Sequence, residues 1–275
     1  MHKKLKQIVE SIVKLGESAV PENLWTAHEL LCDNIFSKNI CLKPAAIPLI
    51  MPTIMALLQS ENTQLQADGC FFITAITNTP STKEKEYSQY TVAAIPKILA
   101  LIYSSTIVVV DLAIGCIQNV AYDYPKEVFE IIKNKNGMDV LISHLESTSR
   151  NVSEATLKIF ISLAAENSEI SQFILNHEVL AHVNNLLNRV PSIKLYTTEL
   201  ITKVTKYPEQ IDSVITADIL SSILKFLNEG IEITQEIKIQ SVKIVTNIVK
   251  FQPDYIPNLM EQNIISKLAD NLGCK

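Results

Sequence analysis

Apolar residues at Val109, Leu112, Ala113, Cys116, Ile117 and Val120 fall three and four positions apart, the spacing of an amphipathic helix. Tyr122, Asp123, Tyr124 and Pro125 then stop that helix, since a proline cannot extend it. Asn119 lies in the last turn, off the strongest part of the apolar face. The same pattern recurs along the chain. Asn34, Asn78, Asn119, Ser162, Lys203 and Asn247 occupy equivalent places, 44, 41, 43, 41 and 44 residues apart. A sustained period of this size marks a repeat architecture, in which each unit buries its apolar face on its neighbours.

The rest of the chain reads as helices arranged on that period. Leu5, Ile8, Val9, Ile12 and Val13 predict a short first helix ending near Gly16. Pro21 opens a second, through Trp25, Leu30 and Leu31 to Phe36, followed by a linker over 37–49. Helices Met51–Asn62 and Gln64–Asn78 come next. From there a three-part unit repeats, first as Lys83–Thr91, Ala94–Ser105 and the helix carrying Asn119. Ile95–Ile102 aligns with Met51–Leu58, and Met138–Leu145, Leu180–Leu187, Leu220–Leu227 and Ile265–Leu272 keep its apolar positions. Pro52 and Pro96 are expected in the first turn, where a missing N–H costs nothing. Gly137 is expected where the chain turns tightly. The pattern predicts one domain over 1–275, with repeats at 1–36, 37–80, 81–123, 124–166, 167–207, 208–251 and a partial 252–275. The two ends are either caps or the edges of a longer array.

Composition agrees with stacked helices: 47% of the 275 residues are apolar, with six Gly and a single Trp. The net charge of −5 is spread along the chain, so there is no basic footprint for nucleic acid. Arg150 and Arg189 are the only arginines, against 22 lysines, which leaves few bidentate phosphate clamps. Cys32, Cys41, Cys70, Cys116 and Cys274 form no Cys-x-x-Cys pair. Three of them fall inside repeat helices and behave as small apolar residues. This predicts a reducing compartment, the cytoplasm or the nucleus, and no metal. The N-terminal stretch breaks its apolar run with charges, so neither a signal peptide nor membrane insertion is expected. Asn151-Val152-Ser153 matches a glycosylation sequon that carries no meaning in a cytosolic chain.

Two stretches carry a family resemblance. AIPKILALI (94–102) resembles the Gly-Ala-Ile-Pro-x-Leu-Leu-x-Leu-Leu second helix of armadillo repeats. AIGCIQNVAYDYPKE (113–127) resembles their third helix, Ala-Val-Trp-Ala-Leu-x-Asn-Ile-Ala-x-Asp-x-Pro, in the importin-α style. The period falls in the HEAT/armadillo range of about 40–47 residues. The resemblance implies an all-α, right-handed armadillo-repeat superhelical solenoid of about six repeats, whose third helices line a concave groove.

No catalytic constellation is present: no Gly-rich phosphate loop, no Gly-x-Ser-x-Gly and no His-Glu-x-x-His. His177 and His182, five apart, would point to different faces of a helix. His28 and His144 stand alone in helices, and the acid pairs Glu84/Glu86 and Glu127/Glu130 read as solvated faces. Tyr87, Tyr90, Tyr122 and Tyr124 read as packing and turn residues. Neither an enzyme nor a cofactor is expected.

The expected function is a non-enzymatic protein–protein interaction scaffold or adaptor, holding an extended peptide or a partner domain in its groove. The expected groove residues are Asn34, Asn78, Asn119, Ser162, Lys203, Asn247, Lys158 and Lys243. An Asn amide offers both donor and acceptor, so it can bond the main chain of an extended peptide whatever its sequence. The alternative is that each Asn bonds its own local backbone. In importin-α-like proteins the position four before this Asn is Trp. Here it holds Leu30, Thr74, Gly115, Lys158, Glu199 and Lys243, so an importin-α-related nuclear transport adaptor would have a degenerate groove. Lys158, Lys203, Lys206, Lys243 and Lys250 suggest an acidic extended partner instead, as for the lysine-lined groove of β-catenin-like proteins. A third reading, by likeness to short armadillo chains, is an Hsp70 nucleotide-exchange co-chaperone. The sequence leaves the oligomeric state open.

Overall fold

Helix is the only regular structure among the residues that the computed structural model describes, which are 3–18, 20–33, 44–78, 85–216, 219–228 and 233–261. They group into two compact units, Met1–Val140 and Leu141–Lys275. No helix among them is long and apolar enough to cross a membrane. Asn34, Cys41, Cys274, Lys83, Glu84 and the expected helix Ile265–Leu272 lie outside the described residues.

The first unit contains α1 (Lys3–Gly16), α2 (Pro21–Leu31), α3 (Ile47–Leu58), α4 (Thr63–Thr77), α5 (Lys85–Leu101), α6 (Ile107–Asp123) and α7 (Pro125–Asn134). Local chemistry sets where these helices start. Pro21 and Pro125 open α2 and α7 in first turns, where no intrahelical N–H is needed. Asn62 caps α4 from an extended backbone, its Oδ1 accepting from the N–H groups of Gln64 (2.9 Å) and Leu65 (3.4 Å); such a cap is worth about 1 kcal/mol. α3 packs on α1, α4 and α5, and α4 packs on α6. Ile54, Leu57, Phe72, Ile73, Ile98 and Ile117 are buried between these layers, each contributing about 1.5–3 kcal/mol by leaving water.

The second unit repeats a short, middle and long helix. After α8 (Gly137–Leu145), which spans the division at residue 140, come α9 (Arg150–Glu166), α10 (Ser168–Asn176), α11 (Val179–Leu187) and α12 (Pro191–Val204). They are followed by α13 (Ile211–Thr216), α14 (Ile219–Asn228), α15 (Gln235–Phe251) and α16 (Ile256–Glu261). α12 packs on both α9 and α15, so successive long helices are neighbours. Polar bonds cross from repeat to repeat in this unit. Buried Gln210 accepts from Ser171 Oγ (2.5 Å) and donates through Nε2 to Ser168 O (2.8 Å). Arg189 Nη2 donates to Ser147 O at 2.9 Å, and His182 Nδ1 lies 2.8 Å from Glu146 Oε1.

Three local expectations are corrected. The first and second helices of the third repeat are one continuous helix, α5, and Pro96 lies inside it. Pro52 likewise lies inside α3, whose first turn is opened by Pro48 instead. The reason shows in the repeats that do break. Asn136 (φ 52°) and Glu178 (φ 60°) adopt left-handed backbone between their short and middle helices. The segment Thr91-Val92-Ala93-Ala94 offers no Gly, Asn or Asp, the residues that take that conformation most readily, and two of its residues are β-branched. The helix therefore runs on, accepting the bond that Pro96 cannot make to Val92. Asn136 rather than Gly137 is the turn residue. Gly137 serves close packing, since a Cβ there would sit 3.2 Å from Leu99 Cδ2 and 3.5 Å from Ile132 Cγ2.

Candidate functional site

Each long helix buries one face and leaves one stripe accessible. On α6 the buried residues include Val109, Val110, Ala113, Ile114, Cys116, Ile117, Val120 and Ala121. The remaining positions are 107, 108, 111, 112, 115, 118, 119, 122 and 123, and they form a single stripe at helical spacing. α4 leaves 63, 64, 66, 68, 71, 74 and 75, and its C-cap 78. In the second unit the stripes run through 154, 158 and 162 on α9, 199, 202 and 203 on α12, and 239, 243 and 247 on α15. All the described candidate residues fall on these stripes or at their ends.

Their local states differ. Asn78 is exposed at the C-cap of α4, its own N–H bonded to Thr74 O at 3.0 Å. Asn119 is half-buried, and its Oδ1 accepts from Gln118 Nε2 at 3.4 Å. Asn247 donates through Nδ2 to Thr205 Oγ1 at 3.3 Å, which ties α15 to the end of the preceding long helix. Ser162 and Lys203 are half-buried and Lys243 is exposed. Lys158 holds its Nζ 4.5 Å from the centre of the Tyr196 ring, a cation–π contact between adjacent long helices.

The two units carry opposite charge on these helices. α2, α4 and α6 contain no lysine or arginine, and their charged residues are Glu22, Glu29, Asp68, Asp111 and Asp123. α9, α12 and α15 carry Arg150 and Lys158, Lys194, Lys203, Lys238, Lys243 and Lys250 against Glu154, Glu166, Glu199 and Glu236, a net excess of three positive charges. Arg150 bonds Glu154 at 2.5 Å on the same α9 surface.

Groups with chemical potential are held in unreactive states. His28 Nε2 lies 2.8 Å from Asp68 Oδ2 and 3.3 Å from Cys32 Sγ, and its buried Nδ1 has no partner among the described residues. One ring nitrogen serves both neighbours, so there is no relay from carboxylate through imidazole to thiol. Burial, and then the nearby Asp68 charge, push the Cys32 thiol up. Burial pushes the Cys116 thiol up to about 12 and raises Cys70 as well. A thiol that stays protonated is a poor nucleophile. No group of three or more His, Cys, Asp or Glu among the described residues could hold a metal ion. His177 and His182 are on no common helix: His177 caps α10, with Nδ1 2.8 Å from Phe173 O, and His182 belongs to α11.

Three features of the accessible face escape the asparagine register. Phe71 on α4 is 50% exposed and Tyr122 on α6 is 75% exposed. Gly115, midway along α6, has nothing within 4 Å of where a Cβ would stand. The signal for Phe71 is its spacing: 64, 68, 71, 75 and 78 recur at helical intervals along the accessible side of α4, while Phe72, Ile73 and Ile76 face the core.

No family model matches the chain, and no curated protein sequence matches it. Solved structures do. A designed armadillo repeat protein in complex with a (KR)4 peptide superimposes with a TM-score of 0.70 at 19% identity, covering 80% of this chain and 90% of that one. Designed armadillo repeat proteins for modular peptide recognition match at a TM-score of 0.70 and 16% identity, covering 86% and 98%. An engineered protein matches at a TM-score of 0.71 and 19% identity, covering 88% and 97%. Identities this low speak for the fold alone, and the fold of this chain is an armadillo-like repeat helical solenoid.

Proposed function

We propose that the protein is a non-enzymatic binding scaffold whose long-helix faces hold an extended segment of a partner protein. The observation that carries this reading is the recurrence of accessible polar side chains at one register on neighbouring helices: Asn78 and Asn119 in the first unit, Ser162, Lys203 and Asn247 in the second. A strand-like peptide presents one N–H and one C=O per residue, and carboxamides can bond both regardless of sequence. Designed neighbours of the same fold are described as recognising peptides.

Within this reading the second unit favours an acidic segment. Lys158, Lys203 and Lys243 lie on the accessible stripes of α9, α12 and α15, with Glu154, already paired with Arg150, and Glu199 as the carboxylates among them. Such an excess acts mainly on the association rate and on the salt dependence of binding. The indole positions of an importin-α-like groove hold Leu30, Thr74, Gly115, Lys158, Glu199 and Lys243, so lysine-stem sandwiching in that register has no support here.

The test is an array of immobilised extended peptides of acidic, neutral and basic composition. It is probed with wild type, with Asn78→Ala/Asn119→Ala, and with Lys158→Glu/Lys243→Glu. The carboxamide double variant is expected to bind the array more weakly overall. The charge-reversed variant is expected to lose acidic peptides and their salt dependence. Unchanged binding by both variants would remove the long-helix faces from the function.

A further inference from the structure

At the start of α2 and α4 the first unit encloses an open cavity of about 530 Å³. It lies beside the helix starts, away from Asn78 and Asn119 near the opposite ends of α4 and α6. Its apolar lining is Val20, Leu24, Trp25 and Leu65, and Glu22 and Glu61 stand exposed at its rim. No lysine, arginine or histidine is among the described residues that line it. Trp25 is 40% exposed and its indole is held by Nε1 donating to Glu29 Oε1 at 3.2 Å. That bond brings a third carboxylate beside the ring.

Two opposing fields meet at this cavity, and their sizes decide its preference. Helix starts carry about half a positive charge each and draw anions. Here several of the donors that would bind an anion are occupied. The N–H groups of Gln64 and Leu65 are bonded to Asn62 Oδ1, and those of Asn23 (3.0 Å) and Leu24 (3.4 Å) to Val20 O. Pro21, at the first position of α2, has no N–H. Two full carboxylate charges at the rim outweigh two half charges, one of them capped by Asn62, so the cavity favours a cation. Its apolar walls favour a long aliphatic stem, and the exposed part of the indole, beside the tilted His28 ring at 5.3 Å, adds attraction to the charged head.

We propose that this cavity is a subsite for a lysine or arginine side chain presented by a partner protein segment. The stem lies against Val20, Leu24 and Leu65, the cationic head over the Trp25 ring and between Glu22 and Glu61. It is independent of the asparagine ladder and does not rest on it.

Trp25 is the only tryptophan in the chain, so its emission reports the site directly. The probe is a capped synthetic octapeptide of alternating lysine and serine, compared with counterparts carrying norleucine or glutamate in place of lysine. Saturable quenching is expected with the lysine peptide alone. Its Kd should rise about fivefold in Glu22→Gln/Glu61→Gln, since exposed ion pairs are individually weak, and the response should survive Asn78→Ala/Asn119→Ala. Both glutamates are exposed, so the isosteric variant keeps the fold, which circular dichroism checks. An equal or stronger response to norleucine or glutamate, an unchanged Kd in the glutamine variant, or a signal lost in the asparagine variant overturns the assignment.

Discussion

Gly115 and Gly69 are both interior residues of long helices, and alanine at the two positions is expected to act in opposite directions. Glycine in a helix interior is less favourable than alanine by about 0.8–1.0 kcal/mol, because it gives up more backbone freedom on folding. Gly115 stands in the middle of α6, and its new methyl would meet nothing within 4 Å. Gly115→Ala should therefore return nearly the whole propensity term and stabilise the protein by about 1 kcal/mol. Gly69 lies in α4, where a Cβ would stand 3.0 and 3.1 Å from side-chain carbons of Leu58 and 3.2 Å from the Leu58 backbone nitrogen. The side chain can shift but the backbone cannot do so cheaply. Overpacking of this kind costs about 1–3 kcal/mol, which cancels or exceeds the gain. Urea unfolding followed by far-UV circular dichroism reads both. With an m-value of about 3 kcal/mol/M, the Gly115→Ala midpoint should rise by about 0.3 M, while that of Gly69→Ala should stay or fall. Equal shifts in the two variants would refute the reasoning, because propensity is common to both and only the surroundings differ.

Gln210→Ala should destabilise the protein by about 1–3 kcal/mol, because Ser171 Oγ and the Ser168 carbonyl would be left without their buried partner; a thermal midpoint within experimental error of wild type would contradict this. Hydrogen bonds from His182 and then Asn185 hold the Glu146 carboxyl below its usual range. A depressed carboxylate adds stability that is present above its unfolded value of about 4.5 and lost as pH falls through the folded value. His182→Ala should weaken that acid-side dependence, leaving the part due to Asn185, and cost about 0.2–1 kcal/mol at neutral pH, so parallel stability–pH curves for variant and wild type would count against it. Cys70 and Cys116 are buried and their thiols raised, so maleimide should leave both unlabelled in the native protein at neutral pH and label both after unfolding, as mass spectrometry of tryptic peptides would show.

The repeat was legible because it is local and periodic: three-and-four spacing gives the helices, and their recurrence gives the stacking. What escaped the sequence depends on which residue of a neighbouring repeat arrives opposite. Arg189 reaching Ser147 O, and Gln210 joining Ser168 to Ser171, link residues 42, 42 and 39 apart, and no local pattern announces them. The fused α5 escaped for another reason, since Pro96 signals an ending and only the absence of a left-handed residue before it shows that the helix continues.

The asparagine ladder shows the same limit, because register makes its rungs look equal and their neighbours make them different. Asn78 is an exposed C-cap, Asn119 is half-buried beside Gln118, and Asn247 spends a donor on Thr205, a hydroxyl supplied by the preceding repeat. Thr205 is buried and also donates its own proton to Ile201 O at 2.9 Å, so the carboxamide completes a bonded chain within the second unit. Asn247→Ala should therefore lower stability by about 0.5–1.5 kcal/mol, whereas Asn78→Ala, at an exposed position, should stay within about 0.5 kcal/mol of wild type. Chemical denaturation of the two single variants separates a rung that holds the repeats together from one that is available to a partner. Equal losses would mean that the ladder is structural throughout.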